Sequence, residues 1–580
     1  MSSRAPRFPS LPPLQATNLV LAMAVAAALS PRLDAQAGEL DPTFGHGGKL
    51  MIDFDQSTDL ARAVAVQPDG KLVVVGTTYV NNDYSAEDFA VSRHLPNGTL
   101  DPSFGGGDGK VTTNFPGLAA VASSVVVQPD GKILVAGGAF PNFTFAGDFA
   151  LVRYEPDGSL DETFGVGGLV VTAFGTQGSY AFDVALQPDG KILAAGTHFV
   201  AFQPSEQSSD TNFAIVRYNP DGSLDTGFGD LGGGVSTDFE GGNDDAFSIL
   251  VQPDGKLVAV GSATDIADFY DFAAARYLPN GALDASFGVG GKVRTDFGNH
   301  DFDRAHSAAL QPDGKIVAAG FTIYDGGLSQ PFALARWNAD GTLDDGFDGD
   351  GLAEIDFGSF LQAAWEVLVQ PDGRIVTAGY PNSEGSDSDF LLARQLPDGS
   401  LDPDFGTDGK VRTSFGNLNG GAEAAVLQPD GKVVAVGWQA TFSDVWAQFA
   451  LARYLDDSAW TDQRGALVGT PGPPVLFGTG DLSPSSAASI ELDNALPNAP
   501  AGLFVAASST PVPFKGGVLQ ANPFLGPFFA GTGATGSIVF DFTVPASLPS
   551  GAELWLQWAI KDPGAVQGVA LSNAIVGEVP

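Results

Sequence analysis

Short apolar runs, each entered through Gln-Pro-Asp-Gly-Lys and closed by Gly, punctuate this chain at nearly constant spacing. The first is Gln67-Pro68-Asp69-Gly70-Lys71 followed by Leu72 to Gly76. The block returns at Gln128, Gln187, Gln252, Gln311, Gln370 and Gln428, with Arg374 in place of Lys in the sixth copy. The intervals of 61, 59, 65, 59, 59 and 58 residues are too regular for unrelated turns, so the chain is a tandem array of one supersecondary unit.

Each unit reads as four strands. The stretch into the block (Ala61 to Gln67) and the stretch out of it (Lys71 to Gly76) form a hairpin whose tight Pro-Asp-Gly turn places Gly at positive φ. A third strand carries Phe-(Ala/Leu)-x-x-Arg. A fourth follows a Leu-Asp-x-x-Phe block and a Gly-rich turn, and alternates at period two, as in Lys292-Val293-Arg294-Thr295-Asp296-Phe297. The first two strands are rich in Ala and Val and apolar on both faces, while the large Phe residues sit on the third and fourth. Small residues where sheets converge and large ones where they diverge is the taper of radially packed four-stranded sheets. The expectation is all-β, a seven-bladed β-propeller. The seventh unit lacks a Leu-Asp block and a fourth strand, whereas Leu40-Asp41-Pro42-Thr43-Phe44-Gly45 and Lys49 to Phe54 precede the first unit with no blade of their own. The N-terminal segment is therefore expected to supply the outer strand of blade seven, pairing with Phe449 to Tyr454 and placing Asp41 near Arg453.

Composition sharpens this picture. With 75 Gly and 39 Pro the chain favours turns over long helices, and 44 % hydrophobic residues suffice for a large core. A net charge of −40 repels phosphate backbones and excludes nucleic acid as a partner. There is no Cys, so neither disulfides nor thiolate chemistry are available. Residues 1–37 have the anatomy of an export signal: Arg4 and Arg7, the apolar run Leu19 to Leu29, and Ala35-Gln36-Ala37 as a cleavage site. Eleven apolar residues fall short of the about 20 that span a bilayer. Its removal takes away Arg4, Arg7, Arg32 and Asp34, leaving 25 basic and 67 acidic residues and a charge of −42, with no further hydrophobic span. The expected destination is outside the cytoplasm: secreted, cell-surface or periplasmic.

The run from Leu160-Asp161-Glu162-Thr163-Phe164-Gly165 through Gln187-Pro188-Asp189-Gly190-Lys191 to Phe213-Ala214-Ile215-Val216-Arg217-Tyr218 resembles the delta-60 repeat family of bacterial, usually exported arrays. The likeness covers Leu40 to Tyr454 and implies a propeller and an extracytoplasmic setting, with no catalytic residue. The first two strands of each unit also look like those of NHL-type propellers.

Residues repeated in every unit are expected to hold the fold. Arg93, Arg153, Arg217, Arg276, Arg336, Arg394 and Arg453 on the third strands, and Asp41, Asp101, Asp161, Asp225, Asp284, Asp344 and Asp402 of the Leu-Asp blocks, read as structural ion pairs or hydrogen bonds. Function is sought where units differ, on the loops joining second to third and fourth to first strands. That face carries Tyr84, Phe143, Phe199, Tyr270, Tyr324, Tyr380, Trp438 and Trp446 as candidate ligand platforms for a glycan, a peptide or a cell-surface component. Asp244, Asp245, Asp301 and Asp303 are candidate oxygen ligands for Ca²⁺. His300 and His306 are a weaker transition-metal pair. Phe104 to Lys110 only imitates a phosphate loop, because Val111 stands where Ser or Thr is needed.

After Tyr454 the repeat stops. Residues 456–474 read as a linker, and 475–580 as a small β-sandwich with strands at Ser489–Asp493, Leu503–Ala507, Ser537–Val544 and Glu553–Ile560. It resembles C-terminal domains appended to other exported bacterial proteins through Asn494 to Pro497, Pro513 to Gly517 and Ser572 to Ala574. The functional expectation is a non-enzymatic binding protein. The alternatives are a Ca²⁺-dependent lyase or lactonase working at the propeller mouth, which needs acids converging on the axis, and a structural envelope component.

Overall fold

The computed structural model describes residues 37–54, 57–79, 87–141, 147–175, 177–203, 208–264, 269–298, 302–324, 330–359, 361–381, 389–416, 418–441, 447–456, 460–464, 475–479, 487–493, 499–506, 509–514, 517–521, 525–531, 538–543, 553–561 and 569–578. The export-signal reading of residues 1–37 lies outside these residues except for Ala37. Contacts divide the chain into two compact units, one of which is Gln36–Gln428 with Lys432–Asp456; the other includes Asp457–Pro580. Among the described residues all regular structure is β, and no helix is long and apolar enough to cross a membrane.

The repeat unit is a four-stranded antiparallel sheet, and seven such sheets are present. In the first, Asp59–Val66, Leu72–Tyr79, Glu87–His94 and Lys110–Thr113 pair in chain order. The turn between first and second strands closes through Gly70 N–H to Gln67 carbonyl and Gln67 N–H to Lys71 carbonyl, with Gly70 at φ +83°. The seventh sheet takes its fourth strand from the start of the chain. Lys49–Ile52 runs antiparallel to Ala447–Tyr454, with Lys49 opposite Ala452 and Ile52 opposite Phe449. The first strands of successive sheets touch one another in order, and Leu418–Leu427 of the seventh touches Asp59–Val66 of the first.

Repeated polar residues tie sheet to sheet. Each third-strand Arg is ion-paired with its Leu-Asp partner, from 2.6 Å for Arg153–Asp161 to 2.9 Å for Arg453–Asp41. The same guanidinium stacks on the Phe of its block, 4.4 Å from the ring centre for Arg153 over Phe164. Its Nη1 donates to a carbonyl in the hairpin of the next sheet, as Arg217 does to Pro279 at 2.6 Å. Arg453 of the seventh sheet donates to Pro96 of the first at 2.5 Å, while Arg394 meets the Asp456 carboxylate instead. These charges are buried, and a buried charge is tolerated only when paired and hydrogen-bonded.

One detail differs from the sequence reading. The fourth strands are short and stop at Thr or Ile, as in Lys292–Thr295 and Leu352–Ile355, so the following Phe leaves the ladder. The N–H of Phe297 goes instead to the Asp303 carboxylate of the next sheet at 2.8 Å, and its ring packs on Phe272 at 5.0 Å. The 65-residue interval holds a longer hairpin: second and third strands of the third sheet extend to Gln203 and from Ser208, adding rungs up to Gln203 opposite Ser208.

Beyond Asp457 one sheet has five strands, with Trp460–Arg464, Val569–Glu578, Glu553–Lys561, Pro500–Ala506 and Leu525–Gly531 side by side. Another joins Val475–Thr479, Ala487–Asp493 and Ile538–Thr543, and Ser509–Phe514 pairs with Gly517–Ala521. The four strands expected here are all present within three residues at each end.

Candidate functional site

All seven first strands share one irregularity. Their pairing with the second strand shifts by one residue, between Ala61 and Ala63 in the first sheet and at the same point in every other. The cause is the Gly that closes each apolar run. A Cβ on Gly76 would lie 1.9 Å from the Leu60 carbonyl oxygen, and one on Gly196 would lie 1.8 Å from that of Tyr180. Only Gly admits so close an approach, and the opposing strand bulges there. The residue before the bulge is Ala in all seven sheets, fully buried with no room for more.

The bulge re-aims one residue per sheet: Arg62, Ser123, Phe182, Phe247, His306, Trp365 and Glu423. All seven line a single cavity of ≈ 560 Å³ enclosed by the first strands, within the range of small-molecule sites. Around part of its wall the rings form a continuous arc. Tyr180 meets Phe182 at 4.7 Å, Phe182 meets Phe247 at 4.6 Å, and Phe247 meets His306 edge-on at 5.5 Å. His306 then stacks on Trp365 at 4.0 Å, and Trp365 lies parallel to Tyr380 at 5.9 Å. Where the arc ends, Arg62 and Glu423 form an ion pair of 2.9 Å. Glu423 also accepts from Trp438 Nε1 at 3.1 Å and hydrogen-bonds Tyr380.

One residue further along the strands lies a polar belt. Asp183 accepts from Ser124 Oγ at 2.7 Å, from its own strand at Val184 N–H, and from Ile249 N–H of the next sheet at 2.8 Å. Glu366 likewise accepts from Ser307 Oγ at 2.6 Å and from Val367 N–H at 3.2 Å. Burial pushes the Glu366 carboxyl up to about 7, the hydrogen bonds opposing and the charge on Asp183 adding to it. Asp183 is raised for the same first reason. Burial pushes His306 down to about 4; its Nδ1 faces the Ala364 carbonyl at 3.0 Å and so carries the ring proton.

The candidate aromatics of the variable face do not form one surface. Tyr380 and Trp438 stand beside the cavity, packed against each other at 6.3 Å. Tyr270 lies under Arg304 at 4.3 Å, and Tyr324 donates to Glu354; neither lines the cavity. Phe199 is a rung opposite Thr211 in the extended third-sheet hairpin. Tyr84, Phe143 and Trp446 fall outside the described residues.

The acidic set is regrouped as well. Asp244 and Asp303 occupy the same position in successive sheets, each receiving a Phe N–H from the sheet before, at 2.8 Å from Phe239 and 2.8 Å from Phe297. Asp245 turns to Arg304 at 3.6 Å, and Asp301 is outside the described residues. Asp303 meets Asp271 and Asp296 instead, with oxygens of all three within 4.8 Å of one another. Burial, with those two neighbouring charges, pushes Asp303 up to about 6. Arg294 already holds Asp271 at 2.5 Å. His306 is not a metal-binding partner of His300: its ring belongs to the aromatic arc, and His300 is outside the described residues.

Of the seven cavity residues only His306 was singled out in the sequence, and as a metal ligand, although a signal for all seven exists. Five residues before every Gln of the Gln-Pro-Asp-Gly block stands a position of any chemistry, always preceded by Ala.

Six segments of the chain, 67–104, 128–164, 187–228, 252–287, 311–347 and 370–405, match the family described as "Domain of unknown function (DUF5122) beta-propeller". No curated protein matches the sequence. Among solved structures, a fungal alcohol oxidase in complex with copper is 12 % identical with a TM-score of 0.38, over 92 % of this chain and 98 % of that one. Virginiamycin B lyase from Staphylococcus aureus with quinupristin is 10 % identical with a TM-score of 0.38, over 70 % and 99 %. The α-L-arabinofuranosidase of Fusarium graminearum with an iminosugar inhibitor is 13 % identical with a TM-score of 0.36, over 58 % and 93 %. Likeness at this level carries nothing about chemistry. The six matched segments, each running from a Gln-Pro-Asp-Gly turn to the Phe of the next Leu-Asp block, identify the chain as an all-β protein built of β-propeller repeats.

Proposed function

We propose that this chain is an exported binding protein, a seven-bladed propeller of the delta-60 kind whose ring is fastened by its N-terminal strand and whose axial cavity receives the ligand. The observation that carries the reading is the convergence of seven bulge residues of differing chemistry on one cavity while the scaffold around them repeats. A scaffold needs no such diversity; a recognition site does. The aromatic arc suits a ring or chain end from a glycan or a peptide, and the C-terminal sheets are an attachment or capping module in this account. Binding is favoured over catalysis because backbone amides and Ser hydroxyls of the cavity wall donate to Asp183 and Glu366 and fix both carboxyl groups in place as parts of that wall.

One observation favours an enzyme instead: the Glu366 carboxyl at about 7 is matched to general acid–base work near neutrality. Ca²⁺-dependent chemistry on the axis is the weaker form of it, because Asp271, Asp296 and Asp303 are not among the cavity residues. The test is a glycan and peptide binding screen with and without Ca²⁺. Hits should lose affinity in Trp365→Ala and keep it in Tyr270→Ala. Hits indifferent to Trp365 would place recognition elsewhere, and turnover of a hit that stops in Glu366→Gln would favour the enzyme.

A further inference from the structure

The cavity has an electrostatic character that its rings alone do not convey. Four of its lining residues are formally charged: Arg62, Asp183, Glu366 and Glu423. Arg62 and Glu423 neutralise each other at 2.9 Å. Among the described residues no Lys or Arg forms an ion pair with Asp183 or Glu366. Their partners are neutral donors, Ser124, Val184, Ser248 and Ile249 for the one, Ser307, Val367 and the Ala425 backbone for the other. They project from the third and sixth first strands, and the charge of Asp183 reaches the Glu366 carboxyl. Two carboxylates without a countercharge thus face a space walled by Phe182, Phe247 and Trp365.

Rings present their negative π faces to cations, and a cation among them gains more as the site is desolvated. A hard metal ion requires six to eight oxygens in its shell, and a wall of aromatic rings withholds them. An organic cation requires the opposite: apolar contact for its alkyl groups and anions at a short distance. His306, with its proton held on Nδ1 by the Ala364 carbonyl, stays neutral and adds no opposing charge.

We infer that the axial cavity takes a ligand through an alkylated or primary ammonium group, seated between the Asp183 and Glu366 carboxylates and against the rings of Phe182, Phe247 and Trp365. The inference rests on the proposed role of the cavity as the binding site and specifies the ligand's charge.

The probe is choline, compared with its neutral carbon isostere 3,3-dimethylbutan-1-ol, titrated into the full-length mature protein at matched ionic strength and followed by tryptophan fluorescence and calorimetry. Choline should bind at least tenfold more tightly than the isostere. Asp183→Asn and Glu366→Gln should each remove most of that preference while leaving isostere binding unchanged, which also reports that the cavity has kept its shape. Trp365→Ala should weaken both. Equal affinity for the two probes would overturn the inference, as would Ca²⁺ or Mg²⁺ displacing choline at millimolar concentration. If hits from the glycan and peptide screen depend on Trp365 but choline shows no preference, the charge assignment alone fails. If no hit and neither probe responds to Trp365→Ala, the cavity is not the binding site and both readings fail.

Discussion

The proposed fastening of the ring by the N-terminal strand is open to a sharp test because the chain contains no Cys. The N–H of Arg453 donates to the Gly48 carbonyl, which makes Met51 and Ala450 a non-hydrogen-bonded pair in the register of the two strands. Such pairs have Cα atoms about 4.5 Å apart, inside the disulfide range of about 4.4–6.8 Å. Met51 is partly exposed and Ala450 buried, so Met51→Cys with Ala450→Cys removes a surface side chain and adds one sulfur to the core. The bond would close a loop of 450 − 51 = 399 residues. Chain entropy assigns such a loop about 6 kcal/mol, and native strain reduces this, so a gain of about 3–5 kcal/mol is expected. Urea unfolding of the same variant, oxidised and reduced, isolates the bond from the substitutions. The disulfide should form in the folded protein and move the midpoint well upward, because opening the ring would otherwise expose Phe44, Phe54 and two sheet edges. Thiols that stay free under mild oxidation, or a disulfide with no shift in midpoint, would refute the closure.

Three further outcomes follow from the same contacts. Asp161→Ala should cost about 3–5 kcal/mol, since it leaves the buried Arg153 guanidinium without its carboxylate; a loss under 1 kcal/mol by denaturant titration would mean that the repeated pairs do not hold the sheets. Melting temperature should rise as pH falls from 8 to 6.5: burial, with Asp238 and Asp245 adding, pushes Asp244 up to about 7, so the native state binds a proton that the unfolded chain does not. That group alone gives about 0.8 kcal/mol over this interval, the Glu366 carboxyl at about 7 adds to it with the same sign, and Asp244→Asn should lessen the slope of the profile measured by calorimetry without abolishing it. Below 6.5 the gain should level off, because burial holds His94 and His306 near 4 and the unfolded chain then takes up protons at these sites. Millimolar Ca²⁺ should raise the melting temperature beyond ionic-strength-matched Na⁺ by linkage to Asp271, Asp296 and Asp303, and Asp303→Asn should abolish the difference; no Ca²⁺-specific shift in the parent would remove the ion.

The scaffold was legible because it is written seven times. Recurrence of Gln-Pro-Asp-Gly, Leu-Asp-x-x-Phe and Phe-x-x-x-Arg located the strands, and the surplus block at Leu40 pointed to the pairing of Lys49–Ile52 with Ala447–Tyr454. The cavity was missed for a physical reason. A first strand read as a continuous run apolar on both faces has no place for a bulge, and the bulge is dictated from the opposite strand, by Gly76 and its equivalents. Variation was therefore sought in loops, which yielded Tyr380 and Trp438 beside the cavity but also Tyr270 and Tyr324 away from it. The acids show the same limit. Asp244 and Asp303 looked like surface ligands in sequence, whereas each receives a backbone N–H from the preceding sheet, a contact that only the packing of neighbouring units reveals.

The most direct test of the account is a crystal structure of the mature protein with a hit from the binding screen. The account predicts ligand density on the axis, in contact with Trp365 and Phe247 and within hydrogen-bonding distance of at least one residue at a bulge position. Density seated instead over Tyr270 and Arg304, or along the extended hairpin at Phe199, with the axial cavity holding only solvent, would contradict it.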